Sequence, residues 1–188
     1  MDTARDRIRF HGNPWPGGHA LAEFAWTVRV VDGMAWCDLH LRSADYYAER
    51  DIALDEDEES ESSWEAAGVW DNYHRCTLSS TYWDDDRGFL LCPAADFSAE
   101  WLDGRTFEVD TVTTGTLEGV ELDDLAFHIY LLGHDSVANH RITFQRIGDS
   151  DRFDITWAGD IALTYAGDDD LAHRFEARIA NAPFPTPA

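Results

Sequence analysis

Residues 22–42 read AEFAWTVRVVDGMAWCDLHLR, and the fold class turns on them. In the first half Phe24, Trp26, Val28 and Val30 alternate with Glu23, Ala25, Thr27 and Arg29. Successive side chains of a strand point to opposite faces, so this alternation predicts a half-buried strand. Asp32-Gly33 follows, a pair suited to a two-residue turn whose central residues both take positive φ. Beyond it Cys37, Leu39 and Leu41 alternate with Trp36, Asp38, His40 and Arg42. A two-residue turn pairs Val31 with Met34, and therefore Val28 with Cys37, Trp26 with Leu39 and Phe24 with Leu41. Every one of those pairs is apolar. The other face then pairs Arg29 with Trp36, Thr27 with Asp38 and Glu23 with Arg42, giving a cation–π contact and an opposite-charge pair. A slip of one residue would turn the apolar set to solvent, so pattern and turn fix one register. On this reading Trp26 belongs to the core, while Arg29 lies on the polar face and is replaceable at little cost.

The same two-residue period recurs toward the C-terminus. Leu125, Phe127, Ile129 and Leu131 alternate with Asp124, Ala126, His128 and Tyr130, and Ile142 and Phe144 mark a further strand. Gly148-Asp149-Ser150-Asp151 reads as a turn into Phe153, Ile155 and Trp157. Ala158-Gly159-Asp160 reads as a three-residue loop, placing Trp157 opposite Ile161, Ile155 opposite Leu163 and Phe153 opposite Tyr165. Gly167-Asp168-Asp169-Asp170 then turns the chain into Leu171, Phe175, Ala177 and Ile179. In the middle, Val69-Trp70 and residues 76–78 look strand-like, residues 84–88 look like a turn into Phe89-Leu90-Leu91, and residues 43–54 are ambiguous. Residues 93–104 suit one short helix with Phe97, Trp101 and Leu102 on a face and Gly104 as its stop. Short strands separated by turns, with at most one helix, predict an all-β antiparallel sandwich, jelly roll or barrel. The expected organisation is one domain over residues 1–188, with 1–7 and 182–188 as extended termini.

The 188 residues carry 37 Asp and Glu against 14 basic residues, all of them Arg, for a net charge of −23. Phosphate neutralisation needs basic patches, so this composition argues against nucleic acid and against an anionic membrane. It permits attraction to a basic protein. The run Asp55-Glu56-Asp57-Glu58-Glu59-Ser60-Glu61 lacks the alternate spacing and central glycine of a calcium loop. Asp55, Asp57, Glu58, Glu59 and Glu61 are therefore candidate contacts for a basic partner, or simply a solvated loop. Three cysteines are too few for a disulfide framework and suggest a reducing, cytoplasmic setting.

Catalytic signatures are missing. His128, His134 and His140 are six residues apart, and no H-x-H, C-x-x-C or H-E-x-x-H occurs, so neither metal nor cofactor is expected. Ser136 follows His134-Asp135, but sequence adjacency is not triad geometry. Cys37 falls on the apolar face, as a small hydrophobe rather than a nucleophile. In the loop His11-Gly12-Asn13-Pro14-Trp15-Pro16-Gly17-Gly18-His19, prolines stiffen the chain around Trp15. Either Trp15, with His11 and His19, presents a ring to a ligand, or it folds back to cap the domain. Two functions follow: a non-catalytic acidic protein that binds a basic partner, of the inhibitor or immunity kind, or a β-barrel or jelly roll with an aromatic, His-lined pocket for a small molecule.

Overall fold

The computed structural model describes residues 6–49, 62–81 and 88–187. Its strands are β1 (Arg7–Phe10), β2 (His19–Val31), β3 (Met34–Ser43), β4 (Thr77–Ser79), β5 (Phe89–Pro93), β6 (Thr106–Val109), β7 (His128–Tyr130), β8 (Ser136–Arg146), β9 (Arg152–Ala162) and β10 (His173–Pro183). Among the described residues, two short helices, α1 (Ala67–Asp71) and α2 (Ala99–Leu102), and three 3₁₀ turns complete the regular structure. All pairings are antiparallel, in the order β6-β8-β9-β10-β1-β2-β3-β4-β7, with β5 on the same edge of β3 as β4. This is an all-β sheet curled into a half-barrel, one of the architectures the strand spacing allowed.

The β2–β3 hairpin has the expected register: Val31 faces Met34, Val28 faces Cys37, Trp26 faces Leu39 and Phe24 faces Leu41. Asp32 and Gly33 both take positive φ, as the two-residue turn requires. A bulge at Leu21/Glu23 adds one residue to β2. The polar face differs from expectation in one respect. Asp38 is buried, and Arg29 reaches diagonally to it through Nε at 2.5 Å and Nη2 at 3.2 Å. Arg29 is thus half of a desolvated ion pair and not a dispensable surface charge.

The curl brings the two ends of the sheet together. Phe89 of β5 lies 5.6 Å from Phe107 of β6 and 6.0 Å from Phe127, centroid to centroid. Where no ladder bridges the ends, the Asp110 carboxylate accepts the N–H groups of Ala126 and Phe127. The interior fills with Trp26, Leu39, Leu41, Phe127, Phe144, Phe153, Trp157 and Phe175. Burial of such rings, at ~25 cal/mol per Å² of apolar surface removed from water, is what holds a curled sheet of short strands.

Three sequence expectations fail for identifiable reasons. Of the run from Leu125 to Leu131 only His128–Tyr130 forms a strand, since the Asp110 carboxylate takes the Ala126 and Phe127 N–H groups. Ala158-Gly159-Asp160 is not a loop: β9 runs unbroken through it, so Trp157 pairs with Ile142 and Ala177 instead of Ile161. Gly159 is there because the neighbouring strands press inward, and an added Cβ would stand 2.6 Å from the Phe175 ring and 2.9 Å from His140 Nδ1. Tyr165 accordingly falls in a 3₁₀ turn over Thr164–Ala166, not opposite Phe153. Val69-Trp70 forms α1 instead of a strand, since two apolar residues carry no period. Trp70 is buried there, donating from Nε1 to the Trp64 carbonyl at 2.8 Å. The short helix after Pro93 does form, with Ser98 Oγ capping Trp101 N–H at 3.1 Å.

Candidate functional site

The candidate residues of the sequence do not converge. Asp55, Asp57, Glu58, Glu59 and Glu61 lie outside the described residues. Trp15 is 6% exposed and packs on His19, Tyr46 and Trp70, with centroids 5.2, 6.1 and 6.0 Å away. Its loop is tied down by Gly18 N–H to the Trp15 carbonyl at 2.8 Å and by Arg7 to the Gly17 and Gly18 carbonyls. Trp15 and the buried His19 therefore belong to an aromatic plug at one end of the half-barrel. His11 stays outside, 3.5 Å from Glu176.

Other chemically suggestive groups resolve into structural roles. His140 is buried, and its Nδ1 accepts the Trp157 indole N–H at 3.0 Å. That bond places the ring proton on Nε2, which is 3.7 Å from the Asp110 carboxylate and too distant for a hydrogen bond. Burial pushes the His140 imidazole down to about 3, so it is neutral at ordinary pH. Asp110 and Asn139 both take positive φ and are joined by Asn139 N–H to the Asp110 carbonyl at 2.9 Å. Asn139 also accepts from Val112 and donates to Asp160, so this cluster staples β6, β8 and β9 at the β8 bulge.

A Ser–His–Glu row, not anticipated from the sequence, crosses β4, β3 and β2. Ser79 Oγ is 3.0 Å from His40 Nδ1, and His40 Nε2 is 3.7 Å from Glu23. Ser79 is fully buried, and its oxygen already accepts the Thr81 N–H at 3.0 Å. A serine so enclosed cannot meet a substrate carbonyl. Ser136 bonds Thr164 at 2.9 Å, and Cys37 is enclosed, with burial pushing its thiol well up. Among the described residues no group of three His, Cys, Asp or Glu side chains is placed to hold a metal ion.

Among the described residues, what remains open is a seam in the sheet. β1 has four residues between an eleven-residue β10 and a thirteen-residue β2. It separates them only up to Arg7, which pairs with Arg178 on one side and Ala20 on the other. Beyond that point β2 and β10 part and leave a cleft of about 770 Å³. Two polar hollows on the face of β8, β9 and β10 reach only 260 and 280 Å³. Leu21, Phe24, Ile147, Ile179, Ala182 and Pro183 line the seam with apolar surface. Asp6, Glu23 and Asp154 bring carboxylates to it, against the single guanidinium of Arg152.

Local bonds explain why the seam stays open. Asp6 bridges its upper end, taking Leu21 N–H on its carbonyl at 2.9 Å and Ala180 N–H on its carboxylate at 2.7 Å. Phe184 closes the lower end, 6.1 Å from Trp26 and 5.8 Å from Phe153 between centroids. A bulge at Ile179/Ala182 and positive φ at Asn181 interrupt the regular course of β10 along the seam. The alternation of β2 and β3 is legible in the sequence, but a mismatch in length between three strands of distant origin is not. Against known protein families, curated proteins and solved structures, the chain matches none.

Proposed function

We propose that this chain is a non-catalytic, acidic interaction protein, of the inhibitor or immunity kind, that docks a basic partner protein. The observation that carries this reading is the seam: an apolar cleft lined by Asp6, Glu23 and Asp154 against Arg152, with Glu23 also paired to Arg42, on a chain of net charge −23. Complementary charge speeds encounter, and a partly apolar cleft gives the docked surface something to bury. The rival pocket around Trp15, His11 and His19 finds less support, because two of those three side chains are packed into the core. Nucleic acid and anionic membrane remain unsuited to so negative a surface. No described helix is long and apolar enough to cross a membrane. Three free, buried cysteines fit a reducing, cytoplasmic setting.

Capture of basic proteins from the native host at low salt, followed by association kinetics on each purified candidate, tests the reading. Two charge-neutralised variants separate the acidic surfaces: Glu23→Gln with Asp154→Asn in the seam, and Asp55→Asn, Asp57→Asn, Glu58→Gln and Glu59→Gln in the acidic run. A partner whose association slows with added salt and with at least one variant supports it. Association at the wild-type rate by both variants rejects it.

A further inference from the structure

Resting on that docking reading, we propose that the seam receives a short extended segment of the basic partner as an added strand along β2. The two walls of the seam are not equivalent. On β10 the backbone donors are spent: Ala180 N–H goes to Asp6 and Asn181 N–H to Asp154 at 3.0 Å, and Pro183 has none. A bulge, a proline and capping carboxylates are the means by which strand edges are kept from pairing. On β2 these protections stop after the Leu21/Glu23 bulge. From Glu23 onward β2 pairs with β3 on one side and, among the described residues, has no strand on the other. That edge carries no proline and keeps an unbroken register with β3 from Glu23 to Val31. A receptive edge therefore faces a guarded one across an open cleft.

The dimensions and the chemistry select the occupant. The cleft runs along Leu21–Phe24 of β2, with Trp26 against Phe184 beyond them, and along residues 179–183 of β10, and at ~3.3 Å per residue this is room for a strand of about four or five residues. Its inward side chains would meet Phe24, Ile179 and Ala182, which favours aliphatic residues. Those facing outward would pass Glu23 and Asp154, which favours Arg or Lys. Glu23 is shared with Arg42, so Asp154 is the more available of the two carboxylates. Alternation of aliphatic and basic residues is the pattern that pairing on one edge demands, since side chains of an added strand point alternately to the two faces. The backbone supplies affinity and the alternation supplies selectivity.

A capped Val-Arg-Val-Arg-Val peptide is the probe, titrated calorimetrically into the full chain at low salt. Its controls are the same peptide N-methylated at alternate residues, which removes the donors along one edge, and a Val-Glu-Val-Glu-Val peptide. Methylation is expected to weaken binding by about tenfold or more, because each lost bond to a strand edge is replaced by none. The acidic peptide is expected not to bind. Ala22→Trp, at an exposed position on the seam, is expected to block the probe while leaving the thermal midpoint near wild type. Should that variant unfold, Ile147→Trp fills the same cleft from the exposed β8–β9 turn. No binding of the basic peptide, equal binding of the methylated one, or indifference to the cleft-filling variant overturns the inference. So does a dimer in sedimentation that the peptide fails to disperse, which gives the edge to a second copy, or binding only after removal of residues 1–5. If a basic partner protein still associates in a salt-dependent way when the peptide fails, strand addition alone is wrong. If no basic protein associates, the docking reading is wrong as well.

Discussion

Replacing Arg29 by alanine removes one half of an ion pair whose other half cannot reach water. The Asp38 side chain is 2% exposed and that of Arg29 is 33%. Its carboxylate takes both guanidinium bonds and a longer one from Ser80 Oγ at 3.3 Å. Breaking a buried pair from one side costs ~3–5 kcal/mol, since the remaining charge stays desolvated. Because Arg29 is one-third exposed, water can enter the space it leaves, and the lower end, about 3 kcal/mol, is expected. For a chain of this size that corresponds to roughly 6–12 °C in Tm. Arg141→Ala provides the scale, since Arg141 and its partner Glu108 are 62% and 68% exposed in their side chains. It should cost under about 1 kcal/mol. Urea denaturation of both variants, with Arg29→Ala/Asp38→Ala to close a double-mutant cycle, measures the difference. Equal destabilisation by the two arginine variants, or a coupling energy near zero between Arg29 and Asp38, refutes the reasoning.

Trp26→Ala, which removes a ring packed on Phe144, Phe153 and Phe184, should cost about 3–5 kcal/mol in the same assay. Gly159→Ala should destabilise by about 1–3 kcal/mol or prevent folding, read as a lowered Tm, because the new methyl meets Phe175 and His140. The depressed imidazole of His140 favours the unfolded state once the solvent supplies protons: stability is full above the unfolded value near 6.5 and falls as pH drops toward about 3. Burial raises the Asp110 carboxyl, which works in the opposite sense over the acid range and offsets part of that loss. His140→Asn, which keeps an acceptor for Trp157, should therefore flatten the fall in stability between pH 6.5 and 4, followed by urea midpoints. With a charge of −23, Tm should rise between low salt and 1 M NaCl as like-charge repulsion is screened. A flat or falling curve would mean that the acids are dispersed or adequately paired.

The β2–β3 hairpin was readable because three constraints coincide in 21 residues: an apolar period of two, an Asp-Gly turn and matched pairs on both faces. Contact between strands far apart in the chain leaves no comparable local mark. Gly159 looks like a loop residue until Phe175 and His140 are seen against it. Arg29 and Asp38 look like surface charges because burial of Asp38 depends on Ser80 and the backbone near Gly88, about forty and fifty residues further on. The seam is the extreme case, since it exists only because short β1 sits between two longer strands. No residue in it carries a signature, and the bulges beside it at Leu21/Glu23 and Ile179/Ala182 shift the strand period only locally.

The most direct test is amide hydrogen exchange along β2 with and without a saturating basic partner. Docking as an added strand predicts slowed exchange at the β2 amides beyond Glu23 that face the seam, with little change on the outer face of β8 and β9. Slowing that maps elsewhere, or no slowing under conditions where the partner is bound, contradicts the account.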